Sequence, residues 1–230
     1  MISEGLALIT VGFTLGLVHA LDADHVMAVS ALGNTRPGIW RMLRFSANWA
    51  LGHGGVIVVS GVLLFAFGVG IPAAMVQVAE IMVGLFLIGM GLLCFYRFRR
   101  ESIRLSEHRH GSVVHRHWHV EDESSHQQNS VADRKRGHAP VMVGIMHGFA
   151  GSAPALALVP VVAQGNIWSA LGYLLLFSLG VTLAMLAFGL GFGATQQLLQ
   201  QRFVALFNYF RHSIAGASIL VGGYWLSQAL

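Results

Sequence analysis

The sequence predicts an all-α membrane protein whose six transmembrane helices form two inverted three-helix halves, joined by a disordered, histidine-rich loop. Three observations lead there. Of the 230 residues, 55% are hydrophobic and only 10% charged, where a soluble domain carries about a quarter charged residues. Six segments are long and apolar enough to cross a bilayer, which takes about 20 residues each. All 14 lysines and arginines fall on one side of the membrane that those segments define.

The six segments are residues 5–32, 45–70, 73–97, 140–163, 168–193 and 204–228. Val56 to Gln77 and Gly165 to Thr195 contain no charged residue. Pro72 and the Gly165-Asn166 pair mark short turns between neighbouring helices. The chain divides into a first half (1–97), a polar segment (98–139) and a second half (140–230). Arg36, Arg41 and Arg44 lie in the first connection, Arg97 and eight basic residues of the central segment in the middle connection, and Arg202 and Arg211 in the last connection. By the positive-inside rule that side is cytoplasmic. Both termini are then outside, and the expected location is the cytoplasmic (inner) membrane of a bacterium. The N-terminal apolar run lacks a basic flank and is too long for a signal peptide, so it is expected to persist as a helix.

Several function classes drop out. A single cysteine, Cys94, leaves no intrachain disulfide and no Cys-x-x-Cys site. The only lysine, Lys135, lies in the polar segment, which excludes a Walker-type phosphate loop. The net charge of +4 does not point to nucleic acid, because its basic residues sit where membrane topology requires them.

The halves share a pattern. Gly16-Leu17-Val18-His19 matches Gly144-Ile145-Met146-His147 at an offset of 128, and Leu51-Gly52 falls on Leu179-Gly180 at the same offset. At an offset of 132, Gly84 falls on Gly216. With three spans per half the second copy must be inverted, a common build for secondary transporters with the site near midplane.

The first span carries His19-Ala20-Leu21-Asp22-Ala23-Asp24-His25. Ionisable groups within a span are costly and functional by default. On a continuous helix His19, Asp22 and His25 form one stripe and Asp24 faces away, so either Asp24 acts elsewhere or the helix is unwound here. Imidazole beside carboxylate suits nickel, cobalt, zinc, iron or copper. A proton relay and a buried His–Asp pair holding two helices together are the other readings. At about 1.5 Å per residue, His25, His53 and His147 each lie roughly 10–12 Å in from the cytoplasmic end of their spans. His19 and Asp22 lie deeper. Glu80 either binds a coupling proton or snorkels to the interface, and His212 reads as interfacial. Ser152 beside His147 lacks a third orienting group, so catalysis is not expected. The methionines Met27, Met146 and Met185 read as packing.

The central segment holds His108, His110, His115, His117, His119, His126 and His138. Such a tract suits weak, fast-exchanging metal capture, and it has too few apolar residues to fold alone.

The run His19 to His25 resembles the His-x4-Asp-His signature of the nickel/cobalt transporter superfamily. Leu51-Gly52-His53 is similar to that family's second motif, except that Gly54 and Gly55 replace two small hydroxyl residues. The acidic Gly-Phe-Asp-type motif is absent, and His147-Gly148-Phe149-Ala150-Gly151-Ser152 stands in its place. This pattern resembles short six-helix relatives described as urease-accessory-type nickel permeases. The resemblance implies Ni2+ or Co2+ as transported substrate with no cofactor, and a ligand set of His19, Asp22, Asp24 and His25 supported by His53. His147 joins them by its depth. Uptake is the expected direction. The histidine-rich loop also resembles the efflux branch, and a membrane-bound metal chaperone for a nickel enzyme is the rival from another class. Expected partners are a divalent transition-metal ion, the lipid bilayer and nickel-enzyme maturation proteins.

Overall fold

A computed structural model describes residues 2–34, 38–68, 70–100, 102–110, 113–121, 138–150 and 166–230. Seven helices and one strand pair make up these residues: α1 (Ile2–His19), α2 (Ala23–Gly33), α3 (Ile39–Phe67), α4 (Ala73–Arg100), β1 (Ser102–His110), β2 (Val113–Glu121), α5 (Ala139–Phe149), α6 (Ile167–Arg202) and α7 (Val204–Ala229). The distal part of the expected fourth span, with Ser152 and Pro154, lies outside the described residues. So do Arg36 and loop residues 122–137 with His126.

Three helices are individually long and apolar enough to cross a membrane: α3, α4 and α6. A fourth span is formed if α1 and α2 are counted as one bent element, with a 54° bend at the break. The chain is a membrane protein with several apolar helices. The expected single helix over residues 5–32 is thus two helices separated by Ala20, Leu21 and Asp22.

Local chemistry sets the helix ends. Asn166 caps α6 by accepting the Trp168 N–H at 2.8 Å. Pro140 stands in the first turn of α5, where its missing N–H costs no helical bond. Gly68 closes α3 in the left-handed conformation (φ 65°), which a side chain disfavours. Helix α3 begins six residues earlier than expected, and the 36-residue α6 extends to about 54 Å, well beyond the roughly 30 Å hydrocarbon core. Both overruns are polar at their tips, with Arg41 and Arg44 on α3 and Gln196, Gln197, Gln200, Gln201 and Arg202 on α6.

In the joining segment, residues 102–110 and 113–121 pair as an antiparallel ribbon, β1 with β2, from Ser102↔Glu121 to His110↔Val113. Ile103, Leu105, Trp118 and Val120 alternate with polar residues, and that period of two favours strands even where apolar content is low.

Helix packing follows the small residues. In lipid, helices associate through close packing rather than the hydrophobic effect, so glycine is placed where backbones meet. A Cβ on Gly16 would collide with the Phe177 carbonyl, and one on Gly180 with the Phe13 carbonyl. This fixes α1 against α6. A Cβ on Gly144 would collide with the Trp49 carbonyl, and one on Gly52 with the Val141 carbonyl, fixing α5 against α3. These two crossings use Gly16, Gly144, Gly52 and Gly180, the residues related by the offset of 128, and Trp49 and Phe177 share that offset. Gly12 and Gly16 face Tyr173 and Phe177, while Gly144 and Gly148 face Trp49 and His53. Both pairs step by four in the same direction, so each crossing is parallel. Helices α4 and α7 instead run antiparallel, with Gly84 against Gly222 and Gly91 against Ala215, and Ser218 Oγ donates to the Leu87 carbonyl at 2.8 Å.

The end of α2 is tied down by polar contacts. Asn34 Nδ2 donates to the Arg211 carbonyl at 2.9 Å, and Cys94 Sγ reaches the Ala31 carbonyl at 3.5 Å. The buried Arg211 guanidinium lies over the Phe98 ring at 3.8 Å.

Adding a single methyl at Gly16 or Gly144 must push two backbones apart. Gly16→Ala and Gly144→Ala are each expected to destabilise by about 1–3 kcal/mol. At about 2–4 °C per kcal/mol, the loss is measurable as a lower thermal-unfolding midpoint in detergent. Gly172→Ala, where a Cβ meets open space, is expected to leave the midpoint unchanged.

Candidate metal centre at the break in the first span

The helix break decides the site. Ala20 N–H still bonds to the Gly16 carbonyl, but Leu21 and Asp22 bond three residues back, to Val18 and His19. The chain tightens and turns, and α2 restarts behind Asp22. Asp24 and His25 are neighbours in the first turn of α2, with Asp24 Oδ2 3.8 Å from His25 Nε2, and the 54° bend between α1 and α2 sets their position relative to His19. Asp24 also lies in the first turn of α2, where the helix dipole favours an anion.

Three histidines converge at this point. One ring nitrogen from each of His19, His25 and His53 lies within 4.8 Å of the other two. The ring centroids of His19 and His25 are 4.6 Å apart, those of His25 and His53 5.0 Å, and those of His19 and His53 5.5 Å. His147 joins from α5, its ring 5.6 Å from His25. None of these four rings, nor Asp24, is more than 3% exposed. Metal–imidazole bonds are about 2.0–2.1 Å long, so the triad lies within reach of a single cation after small ring rotations.

Two contacts fix tautomers. His19 Nδ1 donates to Asp22 Oδ2 at 2.9 Å, and His147 Nδ1 donates to the Val143 carbonyl at 2.8 Å. Each leaves Nε2 as the lone-pair nitrogen, which is how ligating histidines are commonly oriented. The Asp22 side chain is 41% exposed. Asp22 thus touches His19 from the exposed side, whereas Asp24 is buried beside His25.

Among the described residues, both nitrogens of His53, Nδ1 of His25, Nε2 of His147, Oδ1 of Asp24 and Nε1 of Trp49 are buried without a hydrogen-bond partner. An unsatisfied buried polar atom costs about 1–3 kcal/mol. Such a concentration in one place calls for a ligand or bound water.

Two aromatic walls close the cluster, and sequence reasoning did not single them out. Trp49 stacks on His53 (centroids 5.0 Å, planes 9° apart) and meets His25 and His147 edge-on at 4.8 and 5.7 Å. Phe177 lies 5.6 Å from His19. Their signal in the sequence was their shared offset, and the place of Trp49 one helical turn before His53 rather than at an interface. His212 stands elsewhere, exposed, between Phe95 and Phe98. Met27, Met146 and Met185 belong to the apolar core.

Burial makes a chemical prediction. Under diethyl pyrocarbonate in detergent, His212 is expected to be carbethoxylated while His19, His25, His53 and His147 stay unmodified until the protein is denatured, as read by peptide mass spectrometry.

Comparison with known proteins agrees with a membrane assignment. The sequence profile of a family described as the cytochrome c biogenesis protein transmembrane region matches residues 11–223. The urease accessory protein UreH of Bacillus sp. (strain TB-90) is 30% identical over 183 residues, covering 80% of this chain and 75% of UreH. No solved structure gives a significant match. The chain therefore belongs to the transmembrane family of the cytochrome c biogenesis protein region, and is a relative of the urease accessory protein UreH.

Proposed function

We propose that this chain is a secondary permease that moves nickel or cobalt ions inward across the cytoplasmic membrane, binding them in transit at His19, His25, His53, His147 and Asp24, with Asp22 orienting His19. The observation that carries this reading is the meeting of three buried imidazoles, with nitrogens within 4.8 Å, at the break of a membrane span. Several nitrogen donors and one buried carboxylate suit borderline divalent ions better than Mg2+ or Ca2+, which take oxygen. The absence of a thiolate in the cluster argues against Cu(I). Asp22 and Asp24 together supply the two negative charges that offset a dication.

The full architecture is six spans in two inverted halves. The offset of 128 supports it, because the α1–α6 and α3–α5 crossings exchange equivalent glycines and carry His19 against Phe177 and His147 beside Trp49. The antiparallel α4–α7 pair fits the same two-fold relation. Rocking of one half against the other would expose the cluster to each side in turn. The arginine distribution supports a cytoplasmic central segment and external termini.

The name of the relative UreH points to a urease, which supports nickel as cargo and nickel-enzyme maturation proteins as downstream partners. Export is the runner-up direction. A chaperone that delivers metal without transporting it is the rival class; it predicts function without flux. Thiol–disulfide exchange within one copy is not open to a chain whose single cysteine is Cys94.

In proteoliposomes, Ni2+ or Co2+ influx is expected with the unaltered protein and to fall to background with His25→Ala or His53→Ala. Asp22→Asn, which loosens an orienting partner, is expected to weaken apparent metal affinity about 10–100-fold while leaving the folded yield intact. Absence of flux with intact metal binding would favour the chaperone; lower cellular nickel on expression would reverse the direction. Bound Ni2+ is also expected to quench part of the tryptophan emission, and Trp49→Phe to abolish that part.

A further inference from the structure

Hydroxyls inside helices commonly return a hydrogen bond to a carbonyl one turn back. Thr182 and Thr195 do so on α6, donating to the Ser178 and Gly191 carbonyls at 2.7 and 2.8 Å. Ser46 on α3 and Ser178 on α6 differ: each Oγ is buried and has no hydrogen-bond partner among the described residues. The same holds for Trp49 Nε1 on α3 and Gln196 Oε1 on α6. These four atoms share one seam. Ser46, Trp49 and His53 recur at steps of three and four, which is one face of α3. Gly189, Gly193 and Gln196 recur the same way on α6. The two faces meet in antiparallel register: a Cβ on Gly54 would touch Ser178, one on Gly189 would collide with Ser46 Oγ, and one on Gly193 would touch Ile39 and Met42. Ser178 is therefore level with the histidine cluster. Ser46 lies about 10 Å below His53, and Gln196 lies about 10 Å beyond Gly189, at the end of the bundle that bears Arg41 and Arg202.

We propose that the α3–α6 seam, from Ser178 past Ser46 to Gln196, is a water-lined route that carries the divalent ion between the histidine cluster and the arginine-bearing end of the molecule; the proposal rests on the permease reading of that cluster. Buried polar atoms without protein partners take ordered water. Hydroxyl and amide oxygens hold a hydrated dication through its waters, weakly enough to let it leave, whereas a second set of imidazoles would trap it. Met42 closes the route. It is 1% exposed, lies between Ser46 and Gln196, and packs its sulfur against Gly33 of α2 and its stem against Gly193 of α6. Its unbranched side chain has three rotatable bonds, so it can swing aside without moving a backbone. Beyond it Gln196 Nε2 donates to Asn34 Oδ1 at 3.4 Å, and Asn34 in turn holds the Arg211 carbonyl. The exit is thus framed by α2, α6 and α7.

The test uses the full-length chain with Co2+ as probe. Ser46→Ala removes a hydroxyl without adding bulk, and Gln196→Leu removes an amide at similar volume. Each is expected to lower Co2+ influx into proteoliposomes about fivefold or more, the effect of one lost hydrogen bond on a barrier. Co2+ affinity in detergent, read by visible absorption, is expected to stay at the parent value. Thr195→Val, which removes an exposed hydroxyl bonded within its own helix, is expected to change neither. Radiolytic hydroxyl radicals form from water beside a side chain, so Met42 is expected to gain oxygen in spite of its burial, as read by peptide mass spectrometry. Parent-level flux in both variants, or an unmodified Met42, overturns the proposal. So does flux that falls only together with metal affinity and the unfolding midpoint, which marks a structural role. If the variants do not fold, Met42 oxidation in the unaltered protein decides alone. If the unaltered protein binds Co2+ but moves none, the permease reading falls, and the Met42 result still reports separately on whether the seam holds water.

Discussion

The structure depends on how polar groups are tolerated inside an apolar span. Four imidazoles and a carboxylate, each nearly free of solvent, are gathered in one cluster, and their dispersal through lipid-facing positions would be prohibitive. The chain solves this by breaking its first span. The break at Ala20–Asp22 turns Asp24 inward, and the exposed turn carries Asp22 to the rear of His19. The glycine crossings do the complementary work. Because α1 lies directly on the α6 backbone and α5 on that of α3, the side chains next to each crossing are pressed toward the middle. Trp49 and Phe177 become walls rather than lipid-facing rings.

The internal repeat has kept its scaffold and divided its chemistry. His19 and His147 stand at equivalent positions, each beside an aromatic ring contributed by the helix its own half packs against. The acids do not recur. At the same offset Asp22, Asp24 and His25 correspond to Ala150, Ser152 and Ala153. Within the cluster, one half therefore supplies the acids and three of the imidazoles, and the other supplies one imidazole.

Much of this was legible before any coordinates. Histidines within apolar spans stand out against their surroundings, and equal depth along three helices linked His25, His53 and His147. The different burial of Asp22 and Asp24 was not legible, because it depends on a bend that periodicity allows but does not require. Trp49 and Phe177 were hidden for a different reason: an aromatic residue in an apolar run looks the same whether it lines a site or fills the core. The overlong α3 and α6 escaped because hydropathy ends where the polar tips begin.

The anchoring of the bent span carries a mechanical consequence. Its two arms are fastened to different parts of the molecule: α1 to α6 through Gly16 and Gly180, and the end of α2 to α4 and α7 through Cys94 and Arg211. A sliding of the α4–α7 pair along α6 must therefore be absorbed where the arms meet. His19 and His25 sit on opposite sides of that elbow, 4.6 Å apart. The spacing of these two rings is therefore tied to how α6 is held relative to α4 and α7, helices that contribute none of the cluster's histidines.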